Sequence, residues 1–224
     1  MLPDTIKMLI DMTIGDGYIG YRGKNQYFEI GHAIKQAAYA HHKAEQLRTL
    51  FPDVRERTYV VKTGKNKGRG YYHVALYHHP AIAAAYKHVY NAGKKAIDRS
   101  LLRHLDETTL AYWFMDDGTA KAINYLKKGN VRYIYNECKT QEYRLATDSF
   151  PYDQQQYIVE WLYTLDIEAS LTKHTKNTWN VAIRKEQAKD MFRDIVRPYI
   201  IPSMLYKIEK RHNFTDVPFY SIRE

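Results

Sequence analysis

The strongest constraint in this chain is a pair of short segments, apolar on every face, that each run into an acid and a glycine. The first runs from Ile6 to Ile14 (IKMLIDMTI) and meets Gly15-Asp16-Gly17; the second runs from Leu110 to Met115 (LAYWFM) and meets Asp116-Asp117-Gly118. A helix apolar all round is stable only when protein surrounds it, so both segments are predicted as central, buried helices. Asp106 and Glu107 suit the first turn of the second helix, where the helix dipole favours anions. Each helix is expected to stop at its glycine, Gly17 or Gly118, in the usual C-terminal position. Two buried helices with one ending point to an internal duplication.

The remaining sequence supports that duplication. After each candidate helix come a hairpin pattern, an amphipathic helix, another hairpin and another helix. In the first half the hairpins are Tyr18 to Ile30 and Arg55 to Tyr77, rich in tyrosine and β-branched residues around Gly/Asn/Lys turns. The helices read Gln36 to Leu50, halted before Pro52, and Pro80 to Gly93, opened by the proline and closed by the glycine. In the second half the hairpins centre on Lys127-Lys128-Gly129-Asn130 and Lys176-Asn177-Thr178, with helices from about Pro151 to Leu165 and Lys185 to Val196. Faint echoes remain: Glu45-x-Leu47-x-Thr49-Leu50 recurs as Glu160-x-Leu162-x-Thr164-Leu165, and Ile97-x-x-x-Leu101 as Ile201-x-x-x-Leu205. Two diverged repeats are expected, residues 1–104 and 105–224, with no Pro- or Ser-rich linker between them.

Composition narrows the partners. Lys and Arg number 34 against 25 Asp and Glu, the net charge is +9, and there are 21 tyrosines. This balance suits a polyanionic partner. A single cysteine, Cys138, excludes an internal disulfide and a thiolate zinc site. No apolar run approaches the roughly 20 residues that span a bilayer. The N-terminus has acids within its apolar stretch and no cleavage pattern, so an intracellular, non-secreted protein is expected, in an organelle or a prokaryotic or phage setting.

Gly15-Asp16-Gly17-Tyr18-Ile19-Gly20 matches G-x-G-x-x-G, but that fingerprint needs a strand before and a helix after, and here the order is reversed. Gly64 to Gly68 lacks the spacing of a phosphate loop. The acids say more. Asp16 and Asp117 stand at helix C-termini, where an anion is unfavourable by about 0.3–1 kcal/mol. A divalent cation would reverse that sign, because carboxylates and free carbonyls are the hard ligands Mg²⁺ prefers. Two ordinary Asp-Gly surface turns would present the same residues. The hairpin turns are all basic: Arg22 and Lys24; Lys62, Lys65, Lys67 and Arg69; Lys127 and Lys128; Lys173, His174 and Lys176. Basic hairpins with interleaved Tyr suit a sheet along a nucleic-acid groove. The pairs His41-His42 and His78-His79 point apart and lack a carboxylate partner in sequence, which fits surface or packing roles.

Leu9 to Gly17 (LIDMTIGDG) and Leu110 to Gly118 (LAYWFMDDG), with NAGKKAI around Lys95, ATDSF at Ala146 to Phe150 and RPYIIPSMLYK from Arg197 to Lys207, resemble the LAGLIDADG homing endonucleases of the single-chain, two-repeat kind. The resemblance implies an α+β fold of two pseudo-symmetric α-β-β-α-β-β-α repeats. Each would carry a DNA-facing antiparallel sheet, and the two would pack through the central motif helices. It implies Asp16 and Asp117 as catalytic acids that bind metal, Gly15 and Asp116 as backbone-carbonyl ligands, and Lys95 and Lys207 as basic residues near the metal-associated solvent, where they would polarise it or steady transition-state charge. It further implies a monomer that cuts one phosphodiester per strand in a long double-stranded DNA target. The cation would be Mg²⁺, with Mn²⁺ as a substitute and Ca²⁺ binding without cleavage. The alternative within the same family is a maturase-like factor acting on intron RNA, or a DNA-binding protein that no longer cuts. Two departures stand out. Asp11 and Thr13 occupy positions that are small or aliphatic in many members. Lys207 aligns with Arg103, not Lys95, under the offset that relates Ile97 to Ile201.

Overall fold

The computed structural model of the chain describes residues 2–128 and 131–209, the side chains of residues 122–141 excepted. The first repeat is built of α1 (Asp4–Ile14), β1 (Tyr18–Arg22), β2 (Asn25–Ala33), α2 (Ala37–Arg48), β3 (Arg55–Val60), β4 (Gly70–Tyr77) and α3 (Pro80–Val89). A two-residue hairpin, β5 (Tyr90–Asn91) with β6 (Lys94–Lys95), and the short α4 (Arg99–Leu102) lead to the second. There α5 (Glu107–Asp117), β7 (Gly118–Lys128), β8 (Val131–Leu145), α6 (Tyr152–Thr164), β9 (Ser170–Lys173), β10 (Trp179–Ile183) and α7 (Glu186–Val196) repeat the order, followed by two 3₁₀ turns, Arg197–Tyr199 and Pro202–Lys207. The sheets run β1-β2-β4-β3 and β7-β8-β10-β9, so the duplicated order extends to the strand neighbours. No helix among the described residues is long and apolar enough to cross a membrane.

The core lies where α1 and α5 meet. Leu9, Ile10, Met12 and Ile14 of α1 and Leu110, Ala111, Trp113, Phe114 and Met115 of α5 are essentially inaccessible. Each larger side chain contributes about 1.5–3 kcal/mol of burial. One face of each sheet closes over them. Phe28 and Ile30 pair across β2–β4 with Leu76 and Val74, and Leu145 and Tyr143 across β8–β10 with Val181 and Ile183.

Two boundaries differ from the sequence reading. The first helix ends at Ile14, before Gly17, whereas α5 ends at Asp117 and stops at Gly118 as expected. Neither Gly17 nor Gly118 adopts the left-handed backbone of a C-terminal cap. A Cβ on Gly17 would lie 2.3 Å from the Met12 carbonyl oxygen, and one on Gly118 only 2.0 Å from the Phe114 ring, so crowding selects glycine there. The third helix stops at Val89, because Tyr90 and Asn91 pair with Lys95 and Lys94 around a turn in which Ala92 and Gly93 have positive φ.

Asp11 and Thr13 are absorbed without opening the interface. Thr13 Oγ1 donates back to the Leu9 carbonyl at 2.5 Å. Lys7 Nζ lies 2.6 and 2.7 Å from the Asp11 carboxylate oxygens and 2.9 Å from Asp106, while Thr109 Oγ1 donates to Asp11 at 2.5 Å. Asp106 and Thr109 also form the capping box of α5, so the network ties α1 to the start of its partner helix. Burial pushes the Asp11 carboxyl up to about 6, beyond what the Lys7 and Thr109 hydrogen bonds recover. A raised folded-state value means this carboxyl favours the fold below about pH 4 and progressively less as pH rises through 6. Asp11→Asn is therefore expected to gain stability relative to the parent as pH rises, by roughly 2–3 kcal/mol between pH 4 and pH 8. Urea unfolding at the two pH values checks it; a difference that does not change with pH would show that the ion pair and hydrogen bonds fully offset desolvation.

Candidate active site at the paired helix ends

The ends of α1 and α5 approach so closely that a Cβ on Gly15 would lie 2.3 Å from Asp116 Oδ2. Asp16 follows Gly15 just beyond α1, and Asp117 is the last residue of α5. Burial raises the Asp16 carboxyl above the usual range, and the neighbouring Asp116 adds to it. Asp117 is pushed up to about 6 by burial, then by the charges of Asp16 and Asp116. The two motif acids of opposite repeats thus feel each other. Both are held at proton affinities that a cation between them would lower.

A lysine closes each helix end. Lys95 Nζ, from β6, donates to the Gly15 carbonyl at 2.5 Å. Lys207 Nζ, from the last 3₁₀ turn, lies 2.5 Å from the Met115 carbonyl, 3.0 Å from Gly118, 3.2 Å from Phe114 and 3.4 Å from Asp116. Cations at a helix C-terminus satisfy its free carbonyls and its dipole. Burial lowers the proton affinity of both lysines against the pull of the acids: Asp117 first for Lys95, Asp116 first for Lys207. The offset that aligned Lys207 with Arg103 follows the chain, whereas the two lysines reach the same place from non-matching elements.

Two further groups at this site escaped the sequence reading. Lys43 of α2 is fully buried and pairs at 2.5 Å with Oδ1 of an equally buried Asp116, whose Oδ2 accepts the Asp16 backbone N–H at 3.0 Å. His32 of β2 places Nδ1 3.5 Å from Asp16 Oδ2, while its Nε2 is buried with no hydrogen-bond partner among the described residues. Burial, then the Lys43 charge, takes His32 down to about 4, so it stays neutral. Their signals were local. Lys43 lies on the stripe of Tyr39, Ala40, Ala44 and Leu47 that faces the core, and His32 continues the inward alternation of Phe28 and Ile30.

The donor chemistry fits a hard divalent cation. Carboxylate oxygens from Asp16 and Asp117 have raised proton affinity, and carbonyls of Gly15 and Asp116 keep a second lone pair beside their lysine contacts. Asp16, His32 and Asp116 bring ligand atoms within 4.8 Å of one another, although both Asp116 carboxylate oxygens already accept hydrogen bonds.

The basic turns lie at the sheet ends. Arg22 and Lys24 flank the β1–β2 turn, while Lys62, Lys65, Lys67 and Arg69 crowd the β3–β4 loop; all are exposed. Lys173 and Lys176 are exposed at the β9–β10 turn. The side chains of Lys127 and Lys128, and the turn at residues 129–130, lie outside the described residues. Strand positions missed in sequence join them on the sheet faces turned from the core. Arg55, Arg57, His73 and Tyr77 line one groove with Arg22, and Lys121, Arg144 and Asn180 line another with His174. His79 caps α3, as a packing role requires. His41 differs from the reading: Glu56 lies 3.0 Å away and Glu45 3.9 Å, and Arg48 pairs with both acids.

Comparison with known proteins agrees with this architecture. The chain is 28% identical over 207 residues to a probable intron-encoded endonuclease 1 of Wickerhamomyces canadensis, covering 89% of this chain and 81% of that protein. It is 34% identical over 116 residues to the cytochrome b mRNA maturase bI2 of Saccharomyces cerevisiae, covering 51% of this chain and 23% of that one. Its fold is similar to that of the homing endonuclease I-WcaI, solved bound to its DNA recognition sequence, with a TM-score of 0.75, 24% identity and coverage of 93% and 88%. The sequence pattern of the LAGLIDADG DNA endonuclease family matches residues 6–191, and the chain belongs to that family.

Proposed function

We propose that this chain is a site-specific homing endonuclease that hydrolyses one phosphodiester in each strand of a long DNA target with Mg²⁺. The observation that carries the reading is the meeting of Asp16 and Asp117, each with a lysine on the carbonyls beside it. Asp16 and Asp117 would hold the cation, with the Gly15 and Asp116 carbonyls as further oxygen donors. A hard divalent cation there lowers the pKa of water and offsets charge on the phosphoryl oxygens. Mn²⁺ would substitute; Ca²⁺ would bind without supporting the cut.

The chain's own groups do the rest. Lys95 and Lys207 stand beside the acids and fix the helix-end carbonyls, poised to steady charge that develops on a phosphate. Phosphate contacts from Arg22, Lys24, the β3–β4 loop, Lys127, Lys128, Lys173 and Lys176 would set the register, and strand residues such as Arg55, Arg57 and Arg144 would face bases. Residues 1–104 and 105–224 each supply one acid and one lysine, so one chain suffices as a monomer. Incubation with a randomised duplex library in Mg²⁺, followed by sequencing of the ends, tests the proposal. Ends clustered at one sequence are expected; uncut duplex would remove it.

The basic loop predicts a salt effect. Each phosphate contact contributes a slope of about −0.9 in log K against log salt. Replacing Lys65, Lys67 and Arg69 together with Ala should weaken DNA binding and flatten the slope by up to about 2.7. Fluorescence anisotropy across a salt series measures this, and an unchanged slope would detach that loop from the interface.

A second reading, maturase-like action on intron RNA, is favoured by the likeness to the cytochrome b mRNA maturase. Splicing of a cognate intron RNA stimulated by the protein would support it.

A further inference from the structure

The two helix ends are not equivalent, and the difference lies in one bracket. Asp116 reaches across from the second repeat with a fully buried carboxylate: Oδ2 accepts the Asp16 N–H at 3.0 Å, and Oδ1 takes Lys43 at 2.5 Å. Lys43 also lies 4.5 Å from the Tyr39 ring centroid, which leaves it little freedom to swing. No reciprocal bracket can exist. Gly15 stands in the first repeat where Asp116 stands in the second and has no side chain to send back, and a Cβ there would collide with Asp116 itself. The offset of 115 that relates α2 to α6 places the apolar, buried Ile158 where Lys43 stands.

We infer that Lys43 and Asp116 are positioning residues, which act through the Asp16 backbone to fix one of the two acids and thereby make the two strand cuts depend unequally on this pair. Asp116 supplies a hydrogen-bond acceptor whose negative charge is balanced on the spot. Asp16 lies beyond the helix, outside the i→i−4 ladder, so its N–H needs such a partner if the carboxylate is to be held in one place. Lys43 supplies the partner without which a carboxylate in so dry a position would be costly to bury.

The inference rests on the proposed nuclease reading, and its test separates the two. A single change at either residue would leave a buried charge unpaired, so paired neutral variants are used. Lys43→Met with Asp116→Asn retains an acceptor for the Asp16 N–H; Lys43→Met with Asp116→Leu does not. Amide hydrogen exchange read by NMR is independent of cleavage, with the Gly17 N–H, bonded to the Met12 carbonyl at 2.9 Å, as an internal reference. Asp16 protection relative to Gly17 should fall by about tenfold or more in the leucine pair compared with the asparagine pair. On a target labelled separately in each strand, the ratio of the two cutting rates should shift by about 10- to 100-fold in the leucine pair and largely recover in the asparagine pair. If the leucine pair does not fold, Asp116→Ala with Lys43→Met serves as the acceptor-free form. Equal protection in both variants would overturn the bracket, as would equal slowing of both strands. A wild-type protein that protects Asp16 yet cuts nothing would instead overturn the nuclease reading.

Discussion

Asparagine in place of Asp16 or Asp117 is expected to abolish double-strand cleavage in Mg²⁺ and to leave target binding in Ca²⁺ in place. The substitution keeps the shape of the helix end and removes the charge that would hold a hard cation. A bound cation contributes several kcal/mol of charge stabilisation to phosphoryl chemistry. Losing it should slow the cut on the order of 10³-fold or more, with slow nicking at most. Folding should not suffer, because both carboxyls are already raised by burial and by neighbouring acids, so the neutral amide relieves repulsion. Gel analysis of supercoiled plasmid bearing the target resolves nicked from linear product. Linear product at the parental rate from either variant would place the chemistry elsewhere.

The second large effect concerns the fold. Gly15→Ala inserts a methyl 2.3 Å from Asp116 Oδ2 and 2.6 Å from its Cβ, in a place where both helices are fixed. Asp116 cannot retreat without leaving Lys43 unpaired in the core. Overpacking of this kind costs about 3 kcal/mol, and for a chain of this length that is roughly 6–12 °C of Tm. Gly31→Ala is the control: nothing lies within 4 Å of its Cβ position, and its φ is not positive, so the change should stay within about 0.5 kcal/mol. Differential scanning calorimetry on both variants decides it; equal melting temperatures would mean that the repeats can separate slightly at no cost.

Much of the architecture was legible because it rests on local pattern. All-round apolarity located α1 and α5, Pro80 opened α3, and Tyr-rich alternation located the hairpins. The two misplaced boundaries have different causes. The first helix stops short of Gly17, a glycine that crowding against the Met12 carbonyl selects, and α3 stops at Val89 because the β5–β6 hairpin takes over the chain. Asp16 and Asp117 were legible as a repeated acid-glycine ending. Lys43 and His32 were not, because each takes its meaning from a partner far along the chain: Asp116 for one, Asp16 for the other. A lone lysine on an apolar stripe usually snorkels to solvent. Only the crossing of Asp116 from the other repeat turns this one inward.

Lys95 and Lys207 each reach the helix end of their own half of the chain, one from a tight hairpin and the other from a trailing 3₁₀ turn. An acid therefore travels with its lysine when halves are recombined with those of relatives. The Lys43–Asp116 contact does not travel. A chimera that joined this second half to a foreign first half with an apolar residue at the Lys43 position would seal an uncompensated carboxylate into its seam, at a cost of about 3–5 kcal/mol. The opposite graft would bury a lysine facing no acid. The modular boundary of this protein is thus crossed by a fully buried ion pair, and any recombined scaffold has to inherit Lys43 and Asp116 together or replace both.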